Sequence, residues 1–307
     1  MAVRKDKRGR TVQFTEWLGG SLIVTDQSKS TGTRYFVDST TGTDQAGNGY
    51  SPSAPLATLD YCISNRCLDD AEDIVYLMPG HAETVAAAAD IVLDIRGVQI
   101  IGIGRGSNRP TFTFEGVVGA DIDFDAAEVT MRNIKFLNTE DGLTAALDIN
   151  AADCGVFDCF FLDEGANNTV NWIEVAAAGD RFQCIDCWNE GTDTAGNDAF
   201  ITFSGAASYC RVERLRSHGD FAAANIEMTA AATDVLIKDC RLENLNAVDV
   251  CIECFAAATG WIVRNYMVIV TDAQVTWINT PGNCYLFENY GVNDAGEEGL
   301  LVGTPSV

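Results

Sequence analysis

A short pattern recurs along most of this chain at intervals of 24 to 28 residues. In each copy, two apolar residues alternate with polar ones, then Asp, Asn or Arg follows, and an apolar residue comes next. A repeat of this length predicts a solenoid in which each copy forms one turn and stacks on its neighbours. The turn residues, which we call the anchors, are Asn133, Asp158, Asp186, Arg214, Asp239, Asn265 and Asn289.

The apolar positions in each repeat indicate strands. Residues four and two places before an anchor are apolar, as in Cys154 and Val156, and a second alternating segment follows, as in Ile173 and Val175. A period of two is that of a β-strand, whereas an amphipathic helix has a period of 3.6. Short strands in turns of about 25 residues predict a parallel β-helix, since the regular leucines of leucine-rich repeats are absent. Asp and Asn suit its corners because they tolerate the left-handed backbone region.

Charge is distributed unevenly along the chain. The formal net charge is −24, but residues 1–34 carry seven basic and three acidic residues. We interpret residues 1–34 as an extended basic arm and the remainder as an acidic body. An acidic body repels nucleic acid and anionic membranes, and no apolar run reaches the roughly 18 residues of a membrane span, so neither partner is expected. No apolar stretch follows the basic start, so no secretory signal is predicted.

The cysteines occupy repeat positions. Their number is eleven, which is odd, and two CxxC spacings occur. Cysteine packs in cores as a small hydrophobe, so we predict buried, reduced thiols, with disulfides or a zinc site as the alternatives. We expect no metal and no cofactor. The cysteines directly after an anchor are Cys159, Cys187 and Cys240.

The start of the body resembles the entry segment of right-handed parallel β-helix proteins of the pectate-lyase-like superfamily. The matching segments are Tyr35-Phe36-Val37-Asp38, Gly42-Thr43-Asp44, Gly47-Asn48-Gly49, Ser51-Pro52 and Pro55-Leu56-Ala57-Thr58-Leu59, followed by a first coil in residues 73–84. The resemblance covers about residues 35–307. It implies an all-β fold, a right-handed parallel β-helix with an N-terminal capping helix near residues 55–68.

The predicted organisation follows from this resemblance. An extended arm of residues 1–34 precedes one β-helix domain of residues 35–307. Within that domain, residues 35–72 hold the entry strand, the loop and the capping helix, and residues 73–307 form the coils.

Basic residues are expected on an outer face of the β-helix. Lyases of this superfamily use an Arg or Lys base beside calcium-binding carboxylates on such a face, so the resemblance directs attention there. The favoured interpretation of this basic stripe is cross-coil salt bridging on a solvated sheet; an outer-face binding stripe is the first alternative and a catalytic face the second. The members of the stripe, one residue before or two after an anchor, are Arg132, Lys135, Arg216, Lys238, Arg241 and Arg264.

No catalytic residues are assigned from the sequence. Acidic residues are too numerous for any pair to be singled out, and Glu190 and Glu243 are placed in loops. His81 and His218 have no visible Ser or Cys partner, so a nucleophilic triad is unsupported. Most of a set of aromatic residues fall on positions expected to be core, which disfavours a sugar-stacking surface: Trp172, Trp188, Trp261, Trp277 and Phe255.

Fold alone does not assign function. Sequences of this style are common among bacteriophage virion proteins, so we predict a non-enzymatic capsid cement or decoration protein. It would be made in the host cytoplasm, form a homotrimer on the capsid exterior and bind the major capsid protein or another virion protein. The alternative is a tail-associated polysaccharide depolymerase, a lyase or glycoside hydrolase, or a protein that binds host glycans. The predicted partner-binding residues of the arm are Arg4, Lys5, Lys7, Arg8, Arg10, Trp17 and Leu18.

Overall fold

The computed structural model describes residues 32–191, 196–246, 250–270, 276–279 and 283–293 with their side chains. It also gives the backbone of four strands outside these ranges. Three of them, Val3–Lys5, Thr11–Leu18 and Ser21–Val24, form an antiparallel sheet, and the fourth is Glu298–Leu301. The side chains of the predicted arm residues therefore lie outside the described residues, and their partner-binding role stays a prediction. The boundary between arm and body also stays a prediction.

The body is a parallel β-helix of about eight turns built from three sheets, which confirms the predicted fold class. The strands of sheet 1 are Arg34–Val37, Ile74–Leu77, Gln99–Gly102, Thr130–Arg132, Gly155–Phe157, Gln183–Ile185, Arg211–Glu213, Val235–Lys238, Gly260–Val263 and Cys284–Phe287.

Sheet 2 follows sheet 1 in each turn across a short corner. Its strands are Ala82–Val85, Thr111–Phe114, Lys135–Asn138, Phe160–Asp163, Trp188–Glu190, Arg216–Gly219, Arg241–Asn244, Tyr266–Ile269 and Asn289–Asn293, with Glu298–Leu301 added antiparallel. Sheet 3 completes each turn with Ile91–Val92, Ile122–Phe124, Leu143–Ile149, Thr169–Val175, Asn197–Phe203, Phe221–Met228, Ile252–Glu253 and Ile278–Asn279.

Stacking in register makes the core continuous along the axis. Met131 pairs with Val156, which pairs with Cys184, so equivalent inward side chains lie directly above one another. Aromatic residues stack in the same way inside sheet 2, where the Phe136 and Phe161 ring centroids are 4.9 Å apart. Each turn thus buries its apolar face against its neighbours, as the repeat predicts.

The single α-helix of the described residues is Leu59–Arg66, and a 3₁₀-helix covers Gly106–Asn108. The α-helix begins later than predicted because the Leu56 amide donates to the Phe36 carbonyl and holds the preceding segment extended. The Thr58 hydroxyl caps the helix by accepting from the Tyr61 amide. Its buried residues, including Leu59 and Ile63, pack on the first turns and confirm the predicted cap. No helix in the described part of the chain has the length and apolarity to span a membrane.

The corner between sheets 1 and 2 explains the anchors. Asp158, Asp186 and Asp239 have φ values of 51°, 60° and 56°, so the predicted left-handed corners are confirmed there. In the last two turns the positive φ falls one residue earlier, at Arg264 and Glu288.

The anchor alignment is therefore wrong by one residue in the last two turns. Strand register pairs Lys238 with Val263, so Arg264 is the residue equivalent to Asp239. Asn265 and Asn289 instead occupy the buried position of Cys240. They form an amide ladder: the Asn265 side chain accepts from the Cys240 amide, and the Asn289 side chain accepts from the Asn265 amide.

The cysteines and aromatic residues divide between interior and surface. All eleven cysteines are free thiols and ten are buried, as packing thiols should be. Trp172 and Trp277 are buried, whereas Trp188, Trp261 and Phe255 are exposed, so the prediction that most of these five residues lie in the core is wrong. Trp188 begins a sheet 2 strand and points outward, and Trp261 was misplaced by the same one-residue shift that affects Asn265.

Candidate functional site

A groove of about 1000 Å³ follows the outer face of sheet 2 and its corner with sheet 1; we call it the sheet 2 groove. The first residues of five successive sheet 2 strands line it, whereas the second residues of these strands point into the core, as side-chain alternation requires. In register, these floor residues are Lys135, Phe160, Trp188, Arg216 and Arg241. Cationic and aromatic side chains are thereby placed on successive turns of one surface.

Arg216 and Arg241 are neighbours on the groove floor. They are register partners on adjacent parallel strands, whose spacing is about 4.8 Å. Neither guanidinium forms an ion pair with any described residue, although Arg241 lies over the Tyr266 ring at 5.7 Å from its centroid. Because neither arginine is paired with a carboxylate of the described residues, the two positive charges repel each other, and such adjacent like charges oppose folding. Such a pair is suited to binding a carboxylate or another anion.

The acidic residues on the groove wall are already neutralised. The Arg214 guanidinium donates to both Asp186 oxygens at 2.6 and 2.8 Å, and this hydrogen bonding lowers the pKa of Asp186. Arg264 pairs with Asp239 in the same way, at 2.8 and 2.9 Å, and lowers its pKa. The wall therefore contributes little net charge, and Lys135, Arg216 and Arg241 determine the positive character of the floor.

The predicted stripe divides over three surfaces. Lys135, Arg216 and Arg241 lie in the sheet 2 groove. Arg132 and Lys238 end sheet 1 strands, and the Arg132 guanidinium lies 4.7 Å from the Phe157 ring centroid. Arg264 lies at the corner. The residue before an anchor lies on sheet 1, and the residue two after it lies on sheet 2, because the anchor forms the corner between the two sheets. The predicted stripe therefore does not lie on a single face.

A smaller pocket of about 300 Å³ opens beside Trp188, Arg216 and Arg241. Its remaining ionisable residues are Glu190, His218 and Glu243. They are register partners on three consecutive strands, with the histidine between the two glutamates. The placement of both glutamates in loops was therefore wrong, and only the register across turns brings the three residues together.

A column of carboxylates occupies the outer face of sheet 3 and was missed in the sequence. Register partners along this face include Asp123, Asp148, Glu174, Glu227 and Glu253. Burial, followed by repulsion from neighbouring acids, raises the pKa of Asp148 to about 7 and that of Asp123 to about 6. The same causes raise the pKa of Glu227 to about 7.

The N-terminal part of this column contains a group with metal-ligand spacing. Carboxylate oxygens of Asp121, Asp123 and Asp148 lie within 4.8 Å of one another, and oxygen ligands are those that Ca²⁺ prefers. Exposed acidic groups commonly cluster without an ion. The cluster therefore assigns no metal by itself.

Comparisons with known proteins identify the fold. No protein-family model and no curated protein matches the sequence. Among solved structures, a rhamnogalacturonan lyase superposes with a TM-score of 0.61 at 12% identity, over 87% of this chain and 75% of that chain.

Two further structures are less similar. A GH136 lacto-N-biosidase from Eubacterium ramulus has a TM-score of 0.43 at 12% identity, covering 84% of this chain and 67% of that chain. The mannuronan C-5 epimerase AlgE4 A-module from Azotobacter vinelandii has a TM-score of 0.26 at 13% identity, covering 76% and 90%. These two scores are too low to carry an argument. The similarity to the lyase shows that this chain shares its parallel β-helix fold, and at such low identity it shows the fold alone.

Proposed function

We propose that the sheet 2 groove binds an anionic polysaccharide that crosses successive turns of the β-helix. The observation that carries the proposal is the pair of adjacent, unneutralised guanidinium groups of Arg216 and Arg241 beside exposed Trp188. Guanidinium groups bind carboxylates in bidentate geometry, and aromatic rings offer apolar faces to sugar rings.

The repeat geometry suits a polymer. Equivalent floor positions recur about every 4.8 Å along the axis. From Lys135 to Tyr266, each of six consecutive strands contributes either a cationic or an aromatic side chain to this outer face. An extended chain with acidic groups can therefore contact several turns at once, and several weak contacts add to a useful affinity.

The structural comparison supports the same class of ligand. The rhamnogalacturonan lyase that shares the fold is named for a polysaccharide. That support is secondary, because the fold hosts several functions and the groove residues carry the argument.

Calorimetric titration of the full chain with polygalacturonate, alginate and hyaluronate, against neutral dextran, tests the proposal. We expect at least one acidic polymer to bind, with an affinity that decreases as salt is added. The affinity of the Arg216→Ala/Arg241→Ala variant should be lower by at least about tenfold, since hydrogen bonds to charged groups contribute about 1.5–3 kcal/mol. Arg132→Ala, which removes an arginine from sheet 1, is the matched control and should change affinity less than about twofold. Absence of binding to all three acidic polymers, or equal losses in both variants, would contradict the proposal.

Cleavage of the bound polymer is a second candidate, supported by the pocket of Glu190, His218 and Glu243. The two glutamates lie two strands apart, roughly 9.6 Å at the backbone, near the wide end of the carboxyl separation in inverting glycosidases. New reducing ends should then appear on a bound polymer and disappear in Glu190→Gln and Glu243→Gln. Unsaturated products absorbing in the ultraviolet would instead indicate a lyase. Binding without either product would leave a glycan-binding protein.

The capsid-decoration role remains a prediction that rests on residues 1–34. Deleting these residues should leave the β-helix folded but abolish particle binding. Full occupancy of particles by the truncated protein would refute the role of the arm. The homotrimer and the virion location are part of the same prediction.

A further inference from the structure

Cys254 and Cys284 differ from the other cysteines of this chain. Their Sγ atoms lie 3.7 Å apart, close to van der Waals contact. Cys284 is half-buried, whereas the other ten cysteines are buried. The pair therefore combines a near partner with access from solvent.

The pair connects two turns near the C-terminal end of the parallel stack. Cys254 follows the sheet 3 strand Ile252–Glu253, and its amide donates to the Asn279 carbonyl at 2.8 Å. Cys284 begins the sheet 1 strand Cys284–Phe287, at the end of that sheet. The 30 residues that separate the two cysteines make one complete turn.

The interior cysteines have a different environment. The thiols of Cys159 and Cys240 lie 3.3 Å from the carbonyl oxygens of the residues two places before them. Burial raises the pKa of both thiols. By contrast, hydrogen bonding between the two thiols lowers the pKa of Cys284 and favours the thiolate, which is the reactive form.

We propose that Cys254 and Cys284 form an oxidation site, at which a disulfide closes the last complete turn of the β-helix. The oxidant is a small disulfide such as oxidised glutathione. The Cys284 thiolate attacks one glutathione sulfur, so that a mixed disulfide forms and one glutathione thiolate leaves. Cys254 then loses its proton and attacks the Cys284 Sγ, which releases the second glutathione. The two cysteines lose two protons and two electrons, and oxidised glutathione is reduced to two thiols.

The product requires only a small movement and has a clear consequence. The sulfur atoms must approach from 3.7 Å to about 2.05 Å. Closing this loop restricts the unfolded chain and connects the two ends of one complete turn across adjacent levels of the stack. Because terminal units open first in a stacked array, the disulfide should protect this end against local unfolding. We expect the midpoint of thermal unfolding to rise by about 5 °C.

The test uses the full chain incubated with oxidised glutathione or with dithiothreitol. Peptide mapping of the oxidised protein should recover one crosslinked pair, Cys254 with Cys284, and an intact mass lower by two hydrogens. Cys284→Ser should abolish the crosslink and the thermal shift, whereas Cys154→Ser, which alters a buried interior thiol, should retain both. Cys254→Ser should stop the reaction at a glutathione adduct on Cys284.

A second measurement uses the chain without substitutions, so the proposal can still be tested if a serine variant fails to fold. Iodoacetamide applied to the reduced protein should modify Cys284 before any other cysteine. A reduced protein in which another thiol reacts first, an oxidised protein without a crosslink, or a crosslink between other cysteines would each overturn the proposal.

Discussion

Arg216 and Arg241 are register partners on adjacent strands, and neither forms an ion pair with a described residue. This arrangement opposes folding, because like charges on neighbouring strands repel. Groups that oppose folding are typical of binding surfaces, where a ligand supplies the missing charge. The relationship is the most specific indication of function in the described residues.

Removing one arginine should therefore stabilise the free protein while weakening its binding. We expect Arg216→Gln to raise the free energy of unfolding by about 0.5 kcal/mol at low ionic strength, with the gain disappearing in high salt. Urea denaturation at two salt concentrations measures this effect. Arg214→Gln is the matched control two residues away: it breaks the pair with Asp186, so its effect should be zero or destabilising by up to about 1 kcal/mol. A loss of stability in Arg216→Gln at low salt would contradict the account.

The carboxylate column on sheet 3 should make stability decrease as pH rises. The pKa of Asp148 is about 7 in the folded protein and near 3.9 when unfolded, so the folded state holds more protons between these values. Stability associated with this group is complete below about pH 4 and is lost as pH rises through about 7. Asp186 and Asp239, whose pKa values are lowered, act in the opposite sense and only in more acidic solution.

Asp148→Asn tests the column. At pH 8 the free energy of unfolding of the variant should exceed that of the parent by about 1–2 kcal/mol, a figure that allows for solvent screening of a partly exposed group. Between pH 5 and 8 its free energy of unfolding should also depend less on pH than that of the parent. Denaturant unfolding across this range gives both quantities. Glu164→Gln, in an exposed loop, is the control and should keep the parent's pH dependence. Identical pH profiles for Asp148→Asn and the parent would show that the column does not control stability.

The amide ladder in the last turns should be important for stability. The Asn265 side chain accepts from the Cys240 amide and donates to the Ile237 carbonyl, and both contacts are buried. Asn265→Ala leaves these backbone groups unpaired, so we expect a loss of about 2–3 kcal/mol in denaturant unfolding. Asn283→Ala removes an exposed amide that donates to the Ala256 carbonyl and should cost less than about 0.5 kcal/mol. Equal effects of the two changes would refute a structural role for the ladder.

The fold could be predicted from the sequence because its causes are local and repeated. Alternating apolar residues determine the strands, and an Asp such as Asp158 determines a left-handed corner. The prediction failed in the last two turns, where the type of a residue does not indicate its position in the turn. Asn265 has the chemistry of a corner residue but occupies the buried ladder position, while Arg264 takes the corner.

The candidate site could be predicted only in part. The sequence predicts that Lys135, Arg216 and Arg241 face outward. It does not show that the corner places Arg132 on a different sheet from these three residues. The grouping of His218 with its glutamate neighbours depends on register between strands about 25 residues apart. A single sequence contains no direct signal for such alignment on the outer face, where no hydrophobic pattern enforces it.

The central claim is that an anionic polysaccharide occupies the sheet 2 groove, and Trp188 and Trp261 provide an internal comparison. Their exposed fractions are nearly equal, at 49% and 52%, but Trp188 lies in the groove and Trp261 lies on sheet 1. Hydroxyl-radical footprinting with a saturating acidic polysaccharide compares the two residues in one sample. The account predicts a several-fold drop in oxidation of Trp188 with no change at Trp261. Protection of Trp261 alone, or equal protection of both residues, would contradict it.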